Sequence, residues 1–316
     1  MRDSLEKERK NSKMEYSLIL SGQGSEKTAM LRDVVDNNEF AKEFIQKSEE
    51  ILKIRLMDII NSNDIKKITD PKVNQFMLFL FHNIYSKLIM ESFNEMPNFI
   101  AGHSVGQLCS YSVSGVALVE DMLGFLKERT DIINDVNIQN RAKFVNCFGI
   151  TYDAMNELIQ ENQLGEYIDI GLHNGETNIV VAVTEEGREK LGELSAVHRF
   201  IIKDLAIARP YHTHFMDEYN EKLLPFIQKM NFKNADFPIL LNNRCELECD
   251  GSAIKEETKI QMIKPVFWYE SLKKSECDNY LVLDPSKNQC KILSKIVKGK
   301  VISISSFASI KNIKIY

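Results

Sequence analysis

The segment that most constrains how this chain can fold runs from residue 98 to residue 106. It begins with the short segment 98–101 (NFIA), continues with Gly102-His103-Ser104-Val105-Gly106 and is followed by a helical stretch. This order predicts a buried strand, a sharp turn and a helix. The turn fits the pattern Gly-x-Ser-x-Gly, in which a serine lies on a strained backbone and the glycines leave room for it. Ser104 is therefore a candidate nucleophile; the alternative interpretation is an N-cap serine in an ordinary loop.

Short strands and helices alternate through most of the chain. Residues 16–20 (YSLIL) predict a strand that ends at the polar turn 21–25 (SGQGS). The apolar spacing predicts helices over 37–53 and 72–91, the second of them amphipathic, and 238–242 predicts a further strand. This alternation predicts an α/β fold with a largely parallel sheet.

The region 139–209 has a different order of predicted strands and helices. Its apolar runs predict the order βαββαβ, which is the ferredoxin-like motif. The predicted elements are a strand over 144–150, a helix over 152–160, strands over 167–172 and 178–183 around the turn His173-Asn174-Gly175, a helix over 185–194 and a strand over 199–205. We therefore expect a small subdomain inserted into a larger one formed by 15–138 and 210–316, with 1–14 as a flexible tail.

Composition narrows the possible classes of function. The 316 residues could form about two domains of roughly 150 residues, or one large domain with an insertion. Acidic residues outnumber basic ones by 45 to 40, which disfavours general nucleic-acid binding because such proteins need a cationic surface. Residues 1–14 lack the apolar segment of a signal peptide, and the apolar run 76–81 is far shorter than the ~20 residues of a membrane-spanning helix. We expect a cytoplasmic protein without a membrane partner.

The six cysteines indicate neither a disulfide framework nor a metal site. They are sparse and irregularly spaced. The closest pair, Cys245 and Cys249, lacks the second pair that a tetrahedral site would need. We expect reduced structural thiols at both positions.

A serine nucleophile needs a base, and six histidines are available. His103 adjoins the serine, but neighbours at a turn usually point apart. His212 and His214 lie in the irregular stretch 209–216 (RPYHTHFM), where the small subdomain returns the chain to the large one. A loop between subdomains could place a base opposite the serine across a cleft. The residues themselves do not choose between these two histidines.

Three motifs together resemble the malonyl-CoA:acyl carrier protein transacylase family, which includes the acyltransferase domains of fatty acid and polyketide synthases. They are the GHSVG turn, the SGQGS turn and the Pro-aromatic-His-x-x-x-Met stretch at 210–216, and they occur in the order seen in that family. The resemblance covers nearly the whole chain, from about residue 16 to about residue 301. It implies an α/β-hydrolase-like large subdomain with an inserted ferredoxin-like small one.

The resemblance implies catalytic roles by matching position. Ser104 would be the nucleophile, and His212, four residues before Met216, would be the base, which leaves His214 as a bystander. The other catalytic assignments are the main-chain carbonyl of Gln261, which would orient the base, and the main-chain N–H groups of Gln23 and Val105, which would form an oxyanion hole.

The same matching implies a substrate pocket. Arg129 lies 25 residues after Ser104, and its planar fork suits bidentate binding of a carboxylate, which a malonyl group has and an acetyl group lacks. Tyr211 and the aliphatic Val105 resemble the residues of malonyl-specific members, in which the aromatic ring crowds out an α-methyl group. The remaining positions, matched to residues near the pocket and the acyl-thioester arm, are Gln75 and Asn174.

The implied activity is a ping-pong acyl transfer. Malonyl-CoA would acylate the serine, and the phosphopantetheine thiol of an acyl carrier protein would then collect the malonyl group, with no metal or redox cofactor. One alternative is an acyl-carrier-protein thioesterase with water as the acceptor, and another is a catalytically silent protein that docks a carrier. Gln107 replaces the family's usual Glu, and 282–286 (VLDPS) replaces a glycine-rich segment. These departures favour a discrete acyltransferase of a polyketide or hybrid pathway over a housekeeping fatty acid enzyme.

Overall fold

The computed structural model describes residues 15–135, 140–205 and 209–313. Its strands are β1 (Tyr16–Leu20), β2 (Ile100–Gly102), β3 (Lys143–Phe148), β4 (Ile168–Gly175), β5 (Asn178–Val183), β6 (Ile201–Asp204), β7 (Ile239–Leu240), β8 (Leu247–Glu248), β9 (Asn279–Leu283) and β10 (Lys300–Ile304). Its α-helices are α1 (Arg32–Asn37), α2 (Glu39–Leu52), α3 (Leu56–Asn61), α4 (Ile65–Ile68), α5 (Asn74–Phe93), α6 (Val105–Val113), α7 (Val119–Ile133), α8 (Tyr152–Glu161), α9 (Glu185–His198), α10 (Asp217–Lys229), α11 (Gly251–Ile260), α12 (Trp268–Lys274), α13 (Asn288–Leu293) and α14 (Phe307–Lys311). The predicted N-terminal tail, 1–14, lies outside the described residues.

Six strands form one sheet in the order β10-β9-β1-β2-β7-β8. Neighbouring strands from β10 to β7 are parallel, and β8 runs antiparallel to β7 at the edge. Every residue of the central strand β1 is buried, as expected for a parallel sheet with both faces covered. The predicted α/β fold with a largely parallel sheet is confirmed. Because β1 and β2 are parallel neighbours, the turns that follow them lie at the same edge of the sheet.

The other four strands form an antiparallel sheet in the order β4-β5-β3-β6. Helix α8 connects β3 to β4 and α9 connects β5 to β6, which is the predicted βαββαβ arrangement. Threonine N-caps start both helices: the hydroxyl groups of Thr151 and Thr184 accept main-chain N–H groups three residues further on. The strands lie within the predicted small subdomain, whose outer bounds at 139 and 209 stay a prediction.

At the junction between the two sheets, the predicted turn His173-Asn174-Gly175 is wrong. Strand β4 does not end before His173; it continues with irregular pairing to Gly175, and the chain reverses at 176–177. The N–H of His173 donates to the carbonyl of Val266, and the N–H of Val266 donates to the carbonyl of Gly171, both at 2.9 Å. These hydrogen bonds extend the strand past its predicted end and join the small sheet to the large subdomain.

Helix α5 matches the helix predicted over 72–91, but the prediction that it is amphipathic is wrong. Fifteen of its 20 residues are buried. Helices α2, α6, α7 and α14 and strand β9 all pack against it, so little of its circumference faces solvent. Polar side chains of this helix, Gln75 and His82 among them, therefore lie inside the protein. Within the described ranges, no helix has both the length and the apolar character needed to cross a membrane.

Candidate active site

The Gly-x-Ser-x-Gly turn joins the end of β2 to the start of α6. Ser104 has a φ of 55° and a ψ of −113°, a backbone conformation that a non-glycine residue rarely adopts. Both glycines are required by space: a Cβ on Gly106 would lie 2.6 Å from the carbonyl oxygen of Leu20, and one on Gly102 would lie 2.0 Å from the main chain of Gly106. The predicted strand, strained serine and helix are thus present; Ser104 occupies the N-cap position of α6, but its side chain makes no cap hydrogen bond.

Ser104 and His212 form a hydrogen-bonded pair. The serine Oγ lies 2.6 Å from His212 Nε2, and His212 Nδ1 lies 2.6 Å from the main-chain oxygen of Gln261. A carbonyl oxygen can only accept, so Nδ1 carries the proton and Nε2 is free to accept from the serine hydroxyl. The N–H of His212 donates to the carbonyl of Met262 at 2.7 Å, which ties the histidine to the same segment. The arrangement is that of a nucleophile, a base and a group that orients the base.

The dyad is buried, and this sets the charge of the histidine. Burial lowers the pKa of His212 to about 3, against the opposing effect of its hydrogen bond to Gln261. The nearby charge of Arg129 and the neighbouring His103 lower this pKa further. The resting imidazole is therefore neutral and able to accept a proton.

His214 takes no part in this pair. Its Nδ1 and its main-chain N–H both contact Oδ2 of Asp169, at 2.9 and 2.8 Å. The Asp169 hydrogen bond raises the pKa of His214, and the side chain is about two-fifths exposed. The structure thus brings His212, not His214, to Ser104.

A second cluster forms around Arg129 in α7. The guanidinium is buried, its Nη1 donates to Oε1 of Gln75 in α5, and its carbon lies 5.3 Å from the centre of the Tyr211 ring. Burial lowers the pKa of Arg129, because removal from water disfavours the charged form. Among the ion pairs of the described residues, none includes Arg129. The site therefore contains a buried cation that pairs with no carboxylate of the residues the structure describes, and its charge acts on His212.

The two expected oxyanion donors follow the parallel neighbours β1 and β2, whose carboxyl ends lie at the same edge of the sheet. Val105 is the first residue of α6, so its N–H has no carbonyl partner within the helix. Gln23 lies in the turn after β1, and that turn is internally braced: Ser25 Oγ donates to the carbonyl of Gly22 at 2.7 Å, and the N–H of Gly24 donates to Oε2 of Glu26 at 2.8 Å. Val105 thus begins a helix, whereas Gln23 belongs to a short turn held by its own hydrogen bonds.

Asn174 contacts the turn through His103. Its Oδ1 accepts from Nε2 of His103 at 2.8 Å, and the His103 ring packs edge-on against Trp268. Asn174 belongs to the small sheet and His103 to the Gly-x-Ser-x-Gly turn, so this bond joins the two subdomains beside the nucleophile. The predicted contact of Asn174 with an acyl-thioester arm stays a prediction.

Comparison with known proteins agrees with this geometry. The model of the family described as acyl transferase domain matches residues 18–278. The chain belongs to the acyl transferase family. The malonyl CoA-acyl carrier protein transacylase of Staphylococcus aureus (strain MSSA476) is 24% identical over 306 residues, which cover 94% of this chain and 97% of that protein. That of Bacillus subtilis (strain 168) is 24% identical over 292 residues and 89% of each chain.

Solved structures share the fold over nearly the whole chain. The malonyl CoA-acyl carrier protein transacylase of Coxiella burnetii has a TM-score of 0.88 at 16% identity and covers 95% of this chain and 98% of its own. A malonyl-transacylase bound to a type II PKS acyl-carrier protein has a TM-score of 0.85 at 18% identity and covers 94% and 98%. The resemblance inferred from the three motifs is confirmed, as is the two-subdomain fold it implies.

Two side chains that contact the main chain of Ser104 were not expected from the sequence. Asn242 Oδ1 accepts from the N–H of Ser104 at 3.0 Å, and Gln261 Nε2 donates to the carbonyl of Ser104 at 2.9 Å. For Asn242 a signal was available: it is the last residue of the predicted strand 238–242, and strands of a parallel sheet present their carboxyl ends at one edge. For Gln261 only the main-chain carbonyl was expected to act.

The described ranges hold no group of three or more His, Cys, Asp or Glu side chains that could bind a metal ion. All six cysteines are free thiols.

Proposed function

We propose that this acyl transferase moves a malonyl group from coenzyme A, through an ester on Ser104, to the phosphopantetheine thiol of an acyl carrier protein. The supporting observation is the pairing of a Ser104–His212–Gln261 chain with the buried cation of Arg129. The first group can transfer an acyl group, and the second can select one that carries a carboxylate. Relatives named as malonyl CoA-acyl carrier protein transacylases support the same substrate and partner.

In the first half-reaction, Ser104 Oγ bonds to the thioester carbonyl carbon while its proton passes to His212 Nε2. The carbon–sulfur bond then breaks, and coenzyme A leaves as the thiolate and is protonated by the imidazolium. Because burial lowers the pKa of His212, this imidazolium gives up its proton readily. A neutral carbonyl at Nδ1 stabilises it less than an aspartate would, which suits a leaving group that needs little protonation.

In the second half-reaction, the carrier thiol gives its proton to His212 as its sulfur attacks the seryl ester. The bond between the acyl carbon and Oγ breaks, and the proton returns to Ser104. The main-chain N–H groups of Val105 and Gln23 are the proposed donors to the oxyanion in both steps. By analogy with measured donors, each contributes about 3 kcal/mol to the transition state.

Arg129 is proposed to bind the malonyl carboxylate. A planar guanidinium forms two parallel hydrogen bonds with a carboxylate, and an anion would neutralise a buried charge that no protein carboxylate neutralises in the described structure. Gln75 fixes the guanidinium through Nη1, and Tyr211 covers it. The bulk of Tyr211 is proposed to disfavour an α-methyl substituent.

A thioesterase would use the same serine and histidine, with water as the acceptor. Arg129 favours transfer of a carboxylated group, because an enzyme that clears uncharged acyl chains has no use for a buried cation. The proposed location is the cytoplasm, a reducing compartment in which six free thiols are usual.

The test is a product balance. With malonyl-CoA and excess holo carrier protein, we expect most released coenzyme A to be matched by malonyl-carrier, measured by intact mass spectrometry. The apo carrier, which lacks the thiol, is the control and should accumulate no malonyl-carrier. Free malonate in place of malonyl-carrier, with a competent carrier present, would favour the thioesterase.

A further inference from the structure

The strained backbone at Ser104 is held by two side-chain carboxamides. Asn242 Oδ1 accepts from the N–H of Ser104 at 3.0 Å, and its Nδ2 donates to the carbonyl of Gly102 at 2.7 Å. Gln261 Nε2 donates to the carbonyl of Ser104 at 2.9 Å. The peptide groups on both sides of the nucleophile are thus each fixed by an amide side chain.

Asn242 is itself held by a chain of buried hydrogen bonds. Its main-chain N–H donates to Oε1 of Gln107 at 2.6 Å, and Nε2 of Gln107 donates to the hydroxyl of Tyr111 at 2.9 Å. Thr258 Oγ1 lies 3.1 Å from the same hydroxyl. Asn242 and Gln107 are almost completely buried, so water cannot replace these partners.

The identity of the partners also fixes which way the Asn242 amide faces. A main-chain N–H can only donate and a carbonyl can only accept, so Oδ1 must face Ser104 and Nδ2 must face Gly102. Neither an apolar side chain nor a carboxylate can satisfy both groups. A protonated carboxyl group can, because it has one acceptor oxygen and one O–H donor.

The orientation of the Ser104–Val105 peptide bears on catalysis. In a trans peptide the C=O and N–H point in opposite directions. Gln261 binds the Ser104 carbonyl on one side, so the Val105 N–H points to the other side, where it is the proposed oxyanion donor. Rotation of the Ser104 backbone would displace both Oγ and this N–H.

We propose that Asn242 is a positioning residue: its carboxamide holds Ser104 in the conformation that aligns Oγ with His212 and the Val105 N–H with the oxyanion. This inference rests on the proposed function only in assigning the serine as nucleophile, not in the choice of malonyl as the acyl group. Asn242 touches no reacting atom and acts through the backbone of Ser104.

The test uses two reagents that depend differently on the substrate. Phenylmethanesulfonyl fluoride sulfonylates an activated serine without needing the malonyl pocket. Malonyl-CoA needs both the activated serine and the pocket. For Asn242→Ala we expect the rates of both reactions to fall about 10- to 100-fold, the usual effect of misplacing a reacting group by about 1 Å. The KM for malonyl-CoA should change less than twofold.

The control is Asn279→Ala. Asn279 is also a buried asparagine, and its Nδ2 donates to the carbonyl of Glu15 at 3.0 Å, at the start of β9 and thus at the opposite edge of the sheet from Ser104. We expect a comparable loss of melting temperature with both rates within twofold of wild type. Equal loss of rate in the two variants would reduce Asn242 to a structural residue.

Asn242→Asp adds a signature that a structural role would not produce. At pH 8 the carboxylate cannot donate to Gly102, and the rates should match those of Asn242→Ala. As the pH falls towards 5, the protonated acid regains both hydrogen bonds, and the sulfonylation rate should rise relative to wild type at the same pH. His103, His212, Tyr111 and Glu257 surround this site in every variant, so the ratio to wild type removes their titration. A ratio that stays flat with pH, or wild-type rates in Asn242→Ala, would overturn the proposal.

If sulfonylation responds as expected and malonyl-CoA gives no adduct in wild type, Asn242 keeps its role and the malonyl assignment fails. If malonyl-CoA reacts in wild type and neither rate responds to Asn242, the proposed function stands and this inference fails.

Discussion

The two halves of the active site differ in charge and in completeness. Around Ser104 the groups are neutral and paired within the protein: burial lowers the pKa of His212 to about 3 and also lowers that of His103, and each ring has a hydrogen-bond partner. Around Arg129 the site holds a positive charge that burial disfavours and that no carboxylate in the described structure offsets. The groups around Ser104, the reacting half, are therefore already paired without a ligand, whereas on the proposed function the group around Arg129, the binding half, is completed by the malonyl carboxylate.

The largest expected effect is at the nucleophile. Ser104→Ala removes the only atom of the reacting half that bonds to the acyl group, so the malonyl adduct should be absent by intact mass spectrometry. The melting temperature should change little, because Ala adopts the same backbone conformation at a similar cost. An adduct of the same mass on the variant would place the nucleophile elsewhere.

The next effect separates the two histidines. His212→Ala should lower the acylation rate by roughly 10²- to 10⁴-fold, the usual contribution of a positioned general base. His214→Ala is the matched control, since it removes an imidazole two residues away that pairs with Asp169. Its acylation rate should stay within about threefold of wild type. The reverse ranking would reassign the base.

A smaller effect, confined to one substrate, is expected in the binding half. Arg129→Ala should lower kcat/KM for malonyl-CoA by roughly 30- to 1000-fold, which corresponds to ~2–4 kcal/mol for loss of a charge-assisted pair. Acetyl-CoA makes no such pair, and its kcat/KM should hold or rise because a desolvated cation is removed. The ratio of the two constants is the measurement. An unchanged ratio would show that Arg129 does not select the carboxylated substrate.

The smallest expected effect is in the pH dependence of the reaction, which tests whether the His212 imidazole is neutral. A base with its pKa lowered to about 3 remains unprotonated as the pH falls, and it loses activity only as the pH approaches that value. Between pH 7.5 and pH 5.5 we therefore expect the rate of sulfonylation by phenylmethanesulfonyl fluoride to fall less than about twofold. An ordinary histidine with a pKa near 6.5 would lose about tenfold over the same range. A half-maximal rate near pH 6.5 would show that the imidazole is not held neutral.

Local pattern predicted the elements well where a segment is short and its ends are marked. The strands Tyr16–Leu20 and Asn178–Val183 have the predicted bounds, because β-branched and apolar residues end at polar turns. The order βαββαβ followed from the same signals. The burial of α5 was missed although the sequence indicates it: the six apolar residues of 76–81 cover every face of a helix, which is typical of a buried one. Which other helices cover it depends on the fold.

In the candidate site, too, some features follow from local sequence and others do not. The Gly-x-Ser-x-Gly turn is local, and its strained serine was predicted from five residues. The base required a family resemblance, because His212 and His214 differ in sequence only by their spacing to Met216. The carboxamide of Asn242 lies 138 positions from Ser104: its place at the end of a predicted strand indicated the edge of the sheet, but only the three-dimensional fold shows the contact.

The hydrogen bonds between Val266 and the end of β4 limit how the small sheet can move relative to the large subdomain. The segment that bonds to the small sheet begins only a few residues after Gln261, whose carbonyl holds the base. A hinge that swung the small sheet away would pull on this segment and separate His212 from Ser104. Deuterium uptake at the amides of His173 and Val266 should therefore track loss of acylation under mild denaturant, well before the parallel sheet unfolds.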